Sequence, residues 1–232
     1  MEVRGVKNTF IELFGKPEGI VLFQLLEATQ FTIYLSLIAF TGGGILALVL
    51  AFMATVHNRV SNITSKTYIW FFQSTPLLML LFLFGLGIPR LLGVNVNIWL
   101  AASVALVLYS SAYIGEVWRG SIESIPKSQW EAGEALGLSF FPIFFLIILP
   151  QAIRIAIAPT VGFMVQIVKG TSLAYIIGFH DLMSIGKRWA NAPVTGTEPY
   201  VIFPLMALIY FSLCFPLSQL SQWLERKTKM AS

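Results

Sequence analysis

Charge is what this chain has least of. Only 11% of its 232 residues are Asp, Glu, Lys or Arg, against 56% hydrophobic. A soluble domain carries about a quarter charged residues, so a water-soluble enzyme domain is excluded and lipid must cover much of the surface. Cysteine is nearly missing as well. Cys214 stands alone in an apolar stretch, which rules out an internal disulfide and a thiolate metal cluster and leaves the redox compartment open. Histidine is scarce, with His57 and His180 far apart at loop edges, so no nucleophile, base and metal set falls within the apolar runs. A G-x-x-x-x-G-K-S/T loop is also lacking, which denies ATP its usual phosphate cradle. The net charge of +4 reads as basic residues flanking membrane spans rather than as a nucleic-acid surface.

What the chain has instead is long uncharged runs. A transmembrane helix needs about 20 mostly apolar residues. Nothing charged lies between Glu27 and Arg59, Lys66 and Arg90, Arg90 and Glu116, or Glu198 and Glu225, and Arg154 alone interrupts Glu134 to Lys169. These runs predict an all-α membrane protein with five transmembrane helices, near Thr29 to Val56, Tyr68 to Ile88, Ile98 to Trp118, Phe140 to Val168 and Tyr200 to Leu224. Glu2, Glu12 and Glu18 interrupt any signal-peptide core, and no small-residue cleavage site follows. Residues 1–23 read as an interfacial segment, with Val3, Val6, Phe10, Leu13 and Phe14 at helical spacing among Arg4, Lys7, Glu12 and Lys16; a frayed tail fits equally well. An odd number of spans puts the two ends on opposite sides. Arg59, Lys66, Arg119, Lys127, Arg226, Lys227 and Lys229 then share one side, against Arg4, Lys7, Lys16, Arg90, Lys187 and Arg188, a thin excess that favours a cytoplasmic C-terminus.

One loop does not fit the bilayer. Ser121 to Gly137, SIESIPKSQWEAGEALG, is too polar for hydrocarbon. Pro126 suits a first helical position, Glu131 and Glu134 occupy the middle, and Gly137 suits a left-handed stop. The pattern predicts a helix of about three turns, roughly 15 Å long, outside the membrane and tied to a span at each end. On its own this is an ordinary amphipathic loop helix.

The wider spacing carries more. Glu131-Ala132, Gly137, Ile147 and Leu149-Pro150 meet every interval of the EAA loop of bacterial ABC importer permeases: EAA, three residues, G, nine residues, I, one residue, LP. Gly133 stands in for the second alanine. The resemblance runs from about Ala28 to Arg226 and narrows to the polar amino acid permeases, the histidine, glutamine, arginine and glutamate type. It is carried by Thr75-Pro76-Leu77-Leu78, Ala112-Tyr113 with Glu116 and Arg119-Gly120, and Ser124 to Trp130. Further along it is carried by Leu149-Pro150-Gln151-Ala152 with Arg154-Ile155-Ala156, Lys169 with Thr171-Ser172-Leu173-Ala174, and Leu224-Glu225-Arg226.

The resemblance implies a type I ABC importer transmembrane domain over residues 24–225. It further implies a cytoplasmic coupling helix in loop 119–139, between the third and fourth spans, and a cytoplasmic tail at 226–232. It places the chain in the bacterial plasma (inner) membrane with the N-terminus outside. The implied partners are two ABC ATPase subunits, a second permease chain that is identical or similar, an extracytoplasmic binding protein and an amino acid cargo. ATP and Mg belong to the ATPase, and no cofactor is implied for this chain. On this resemblance Trp130, Glu131, Ala132, Gly133 and Gly137 are the ATPase-docking residues. Glu131 offers a charge-assisted contact, Trp130 and Leu136 apolar anchors, and Gly133 close approach, while Trp130 suits the headgroup level equally well. Gly178 to Thr197 becomes a candidate contact for the binding protein, and His180 beside Asp181 reads as a helix start rather than a metal site.

Polar groups inside spans generally face the bundle interior or a watery cavity. The candidates for the substrate path are Ser110, Tyr113, Glu116, Gln166, Lys169, Thr171 and Ser172. Glu116 suits a substrate ammonium, and Lys169 with Thr171 and Ser172 suits a carboxylate. Pairing of Glu116 with Arg119 one turn away is the competing reading and the favoured one. Pro150 and Pro159 remove backbone donors and Gly162 and Gly170 loosen the path, so an interrupted fourth span is expected, with Phe163 as gate or core packing. The chain departs from the family pattern at Gln73-Ser74, where arginine and glycine are usual, at Tyr109, where asparagine is common, and at Gly170, where aspartate is common. Loss of that aspartate favours a neutral or small substrate. The main alternative is a secondary transporter or channel without an ATPase, which predicts internal repeats that the sequence does not display.

Overall fold

The computed structural model describes residues 2–56 and 58–230, and side chains over 8–56 and 58–228. His57 and the side chains of Val3, Arg4, Val6, Lys7 and Lys229 lie outside the described residues. The elements are α1 (Glu2–Phe14), α2 (Glu18–Thr55), α3 (Arg59–Ser74), α4 (Leu77–Phe82), α5 (Ile88–Leu92), α6 (Ile98–Glu123), α7 (Lys127–Ala135), α8 (Phe140–Pro142), α9 (Leu149–Thr171), α10 (Leu182–Ala190) and α11 (Pro199–Met230). π-helical turns at Leu83–Gly87 and Ile143–Ile148 join α4 to α5 and α8 to α9, and a 3₁₀ segment at Ser172–Ile177 follows α9.

Among the described residues, four helical stretches are long and apolar enough to cross a membrane: Glu18–Thr55, Ile98–Glu123, Phe140–Ile177 and Pro199–Thr228. The second expected span, Tyr68 to Ile88, is not one helix. Arg59–Ser74 and Leu77–Leu92 meet at an angle of 97°. The cause is Thr75-Pro76: proline pushes the residue before it out of the helical region, and Thr75 sits extended at φ −94, ψ 123. The interruption expected at Pro159 is absent, since α9 stays helical through it. Distortion falls ahead of Leu149-Pro150 and Ile88-Pro89 instead, where a widened π turn moves the preceding carbonyls away from a ring that cannot donate.

The core sits where α2 and α6 run side by side in the same direction. Ala39, Gly43, Ala47 and Ala51 recur every fourth residue on α2 and are all buried. Small side chains let helix backbones approach closely, which is how helices associate without a hydrophobic drive in lipid. A Cβ on Gly43 would lie 2.6 Å from Ser110 Cβ of α6. At one end of the bundle Trp99 packs on Phe31 and Phe179, and at the other Ala51 and Ile122 cluster with Ile143 and Phe144. The α3–α4 pair therefore leads the chain back from the second end to the first. α10 closes the first end: Trp189 Nε1 donates to Gln24 Oε1 at 2.9 Å, and the Leu182 amide donates to Thr32 Oγ1 at 3.3 Å.

Candidate functional site

The polar loop folds into α7, as its composition required. Pro126 precedes the helix at φ −55, ψ 138 rather than forming its first turn. The far end closes as expected on Gly137, at φ 75, with its amide on Glu134 O at 2.9 Å and the Leu138 amide reaching back to Gly133 O at 3.1 Å. Trp130 and Gly133, one turn apart, form the face turned to the rest of the chain. The Trp130 ring lies 5.9 Å from that of Phe140, interplanar angle 23°. A Cβ on Gly133 would stand 2.7 Å from Ile143 Cγ1. The close approach expected of Gly133 is thus made to its own chain, and Trp130 is half-buried rather than a free anchor. Glu131, Ala132, Glu134 and Leu136 face outward.

The substrate-path candidates fall in several places. Tyr113 belongs to an aromatic stack between α6 and α9, 4.7 Å from Tyr109 and 5.2 Å from Phe163 by ring centroids. Its hydroxyl donates to Gln73 O at 3.3 Å. Glu116, one turn further on, is held by Arg119, whose Nε donates to Oε2 at 2.8 Å, and Arg119 also bonds Glu123. The Glu116 carboxylate thus pairs with Arg119, the alternative favoured from sequence. Ser110 is fully buried against α2, away from any surface, because Gly43 admits it there. Gly170 likewise marks tight packing rather than looseness: a Cβ would lie 2.9 Å from Leu77 Cδ2. Gly162 does the same beneath Ser221, whose hydroxyl donates to Ala158 O at 2.8 Å.

Lys169 is where a hollow does exist. A cavity of about 320 Å³ between α9, α10 and α11 is lined by Lys169, Ser172, Met183, Met206 and Tyr210 among others. A second of about 430 Å³ continues it along α11 past Cys214 to Ser218, sharing Lys169, Ala207 and Tyr210. Lys169 is the cation lining both. Ser172 stands at the rim with its hydroxyl on Lys169 O at 2.6 Å, while Thr171 is buried and bonds Val168 O at 2.8 Å, out of reach of the hollow. Gln166 is exposed on α9 outside the lining of either cavity. The α11 wall was missed from sequence, although Tyr210, Cys214 and Ser218 recur every fourth residue and so share one helix face.

Beyond this groove lies a buried carboxyl. Asp181 starts α10, its Oδ1 accepting the Ser184 amide at 2.9 Å. The residue is fully buried and its Oδ2 has no hydrogen-bond partner. Burial pushes its pKa from 3.8 up to about 6, with the backbone amides that bond it pulling the other way. His180 beside it is exposed.

This architecture matches known proteins along most of its length. Residues 43–230 match the family described as binding-protein-dependent transport system inner membrane component. The chain is 36% identical over 176 residues to an inner membrane amino-acid ABC transporter permease protein, YhdY, of Escherichia coli strain K12, covering 74% of this chain and 47% of that one. It is 30% identical over 203 residues to a probable amino-acid ABC transporter permease protein, YckA, of Bacillus subtilis strain 168, covering 88% of each. A crystal structure of an amino acid ABC transporter with histidines superposes with a TM-score of 0.80 at 26% identity, covering 88% of this chain and 94% of that chain. The inward-facing MetNI methionine ABC transporter shares the fold, at a TM-score of 0.71 and 17% identity. The chain therefore belongs to the binding-protein-dependent transport system inner membrane component family, as a permease of the amino-acid ABC transporter kind.

Proposed function

We propose that this chain forms the membrane path of an ATP-driven importer for a polar amino acid, crossing the bilayer five times with the α3–α4 bent pair as one crossing. The observation that carries the reading is α7: a short helix pinned on one face and presenting Glu131 and Glu134 on the other. The names of its permease relatives support amino acids as the cargo class. A separate ATPase subunit, holding ATP and Mg, receives α7. Since Trp130 and Gly133 tie α7 to Phe140 and Ile143, closure of the ATPase displaces α7 together with α8 and the π turn that leads into α9 as one rigid body. The second permease chain and an extracytoplasmic binding protein complete the path. In the groove the Lys169 ammonium faces the substrate carboxylate, with the hydroxyls of Ser172 and Tyr210 at hand.

A common side for α7 and the C-terminal end is supported by one cavity that joins Ser124 and Pro126, just before α7, to Leu224 and Thr228 at the end of α11. The two share one end of the bundle, so a cytoplasmic α7 carries the C-terminus with it and leaves α1 and α10 outside. Glu131→Lys tests the proposal. Membrane insertion is expected to persist while ATPase co-purification and amino acid uptake fall together; normal co-purification with normal uptake overturns the docking role.

A further inference from the structure

The end of the bundle that carries α7 holds a separate hollow of about 560 Å³ between the first half of α9 and the last turns of α11. Its depth is given by a hydrogen bond: Thr228 Oγ1 donates to the Arg154 carbonyl at 3.2 Å, so Arg154 is level with the charged turn of α11 that follows Leu224, the last residue of its uncharged run. Hydrocarbon gives way to headgroups at such a level. Arg154 and Lys227 both line the hollow, and among the described residues no carboxylate lines it; Glu225 borders the adjoining cavity instead. Neither cation has a carboxylate partner among the described ion pairs. Lys227 Nζ lies 3.9 Å from the centroid of the Trp223 ring, a cation–π contact one turn back along α11.

Ser124, Gln151 and Thr228 add polar groups, and the rest of the wall is apolar. Ile153, Ile155 and Ile157 line it and are exposed at 40%, 40% and 42%. Two cations above an apolar trough at the depth of the membrane interface complement one kind of molecule. We propose that this hollow binds an anionic phospholipid, with its phosphate between Arg154 and Lys227 and an acyl chain along the isoleucines. Basic pockets between helix ends recognise headgroups by charge, and stems of Lys and Arg cover the first carbons of the chain. A soluble phosphate would satisfy the cations and leave the isoleucines wet.

The test uses the full chain with its co-purifying subunits in nanodiscs of phosphatidylcholine doped with a photoactivatable lipid, with crosslinks mapped by mass spectrometry. Photoactivatable phosphatidylglycerol is expected to label peptides containing Arg154 to Ile157 and Leu224 to Thr228 on the order of tenfold more than its phosphatidylcholine counterpart. The Arg154→Gln, Lys227→Gln double variant is expected to lower that labelling to the phosphatidylcholine level, and glycerol phosphate added in solution is expected not to compete. Equal labelling by the two lipids, or labelling that survives the double variant, overturns the proposal. Competition by glycerol phosphate assigns the site to soluble anions and overturns it too, as does a protein crosslink showing a second permease copy in the hollow.

Discussion

Replacing Asp181 with Asn isolates the energetic consequence of one buried carboxyl. In the unfolded chain the group titrates near 3.8, and in the folded chain burial raises it to about 6. The folded state therefore holds the extra proton between about pH 4 and pH 6, and stability falls as pH rises through that interval. A rise of about two units corresponds to about 3 kcal/mol between the protonated and ionised forms. The charge appears on a carboxyl whose Oδ2 has no partner, at the start of the helix that closes the end of the bundle opposite α7. Asn keeps an acceptor for the Ser184 amide and carries no charge at any of these pH values, so the variant loses the slope. The readout is hydrogen exchange of the Leu182–Ala190 amides in lipid nanodiscs at pH 5 and pH 7.5, corrected for intrinsic rates. Both chains carry His180→Gln, which removes the neighbouring titratable group. At pH 5, midway through the interval, Asp181→Asn is expected to exchange about tenfold more slowly than its parent, and at pH 7.5 about a hundredfold more slowly. Identical protection at pH 7.5, or faster exchange of the variant at both pH values, refutes the reasoning.

Gly133→Val places a branched side chain where a Cβ alone would stand 2.7 Å from Ile143 Cγ1. The expected loss is about 1–3 kcal/mol of local stability, seen as protease cleavage within 127–138 and largely rescued by Ile143→Ala; an unchanged cleavage rate would count against the packing of α7 on Ile143. Lys169→Gln removes the cation from the wall of the α9–α11 groove. Assembly with the ATPase is expected to persist while amino-acid-stimulated ATPase activity drops by about tenfold or more, and unaltered stimulation would remove the groove from the path.

The candidate site was legible in unequal parts. Glu131 and Glu134 could be read outright, because ionised side chains in a polar run between two apolar spans have to remain outside hydrocarbon. Gly137 could be read because a helix stop of that kind favours a residue tolerant of positive φ. Glu116 and Arg119 could be weighed as a pair because one helical turn brings them together regardless of what surrounds the helix. Ser110 could not be judged in the same way, since its polarity says nothing of which neighbour it meets; Gly43, 67 positions away in the chain, decided that it is buried. Tyr210 was overlooked because only the crossing of α11 with α9 beside Lys169 gives its hydroxyl a cavity to line.

By itself the sequence determined the solvent, the helical content and the positions of the apolar stretches, along with the polar helix between the third and fourth of the expected spans. These depend on charge scarcity, periodicity and local stereochemistry, which act within a turn or a span. The tertiary structure decided the 97° bend after Ser74, the face of α7 that is pinned, the burial of Asp181 and the grooves along α11. Those depend on which helix lies against which, and in lipid that is settled by close packing of small residues on different helices rather than by any hydrophobic pattern within one of them.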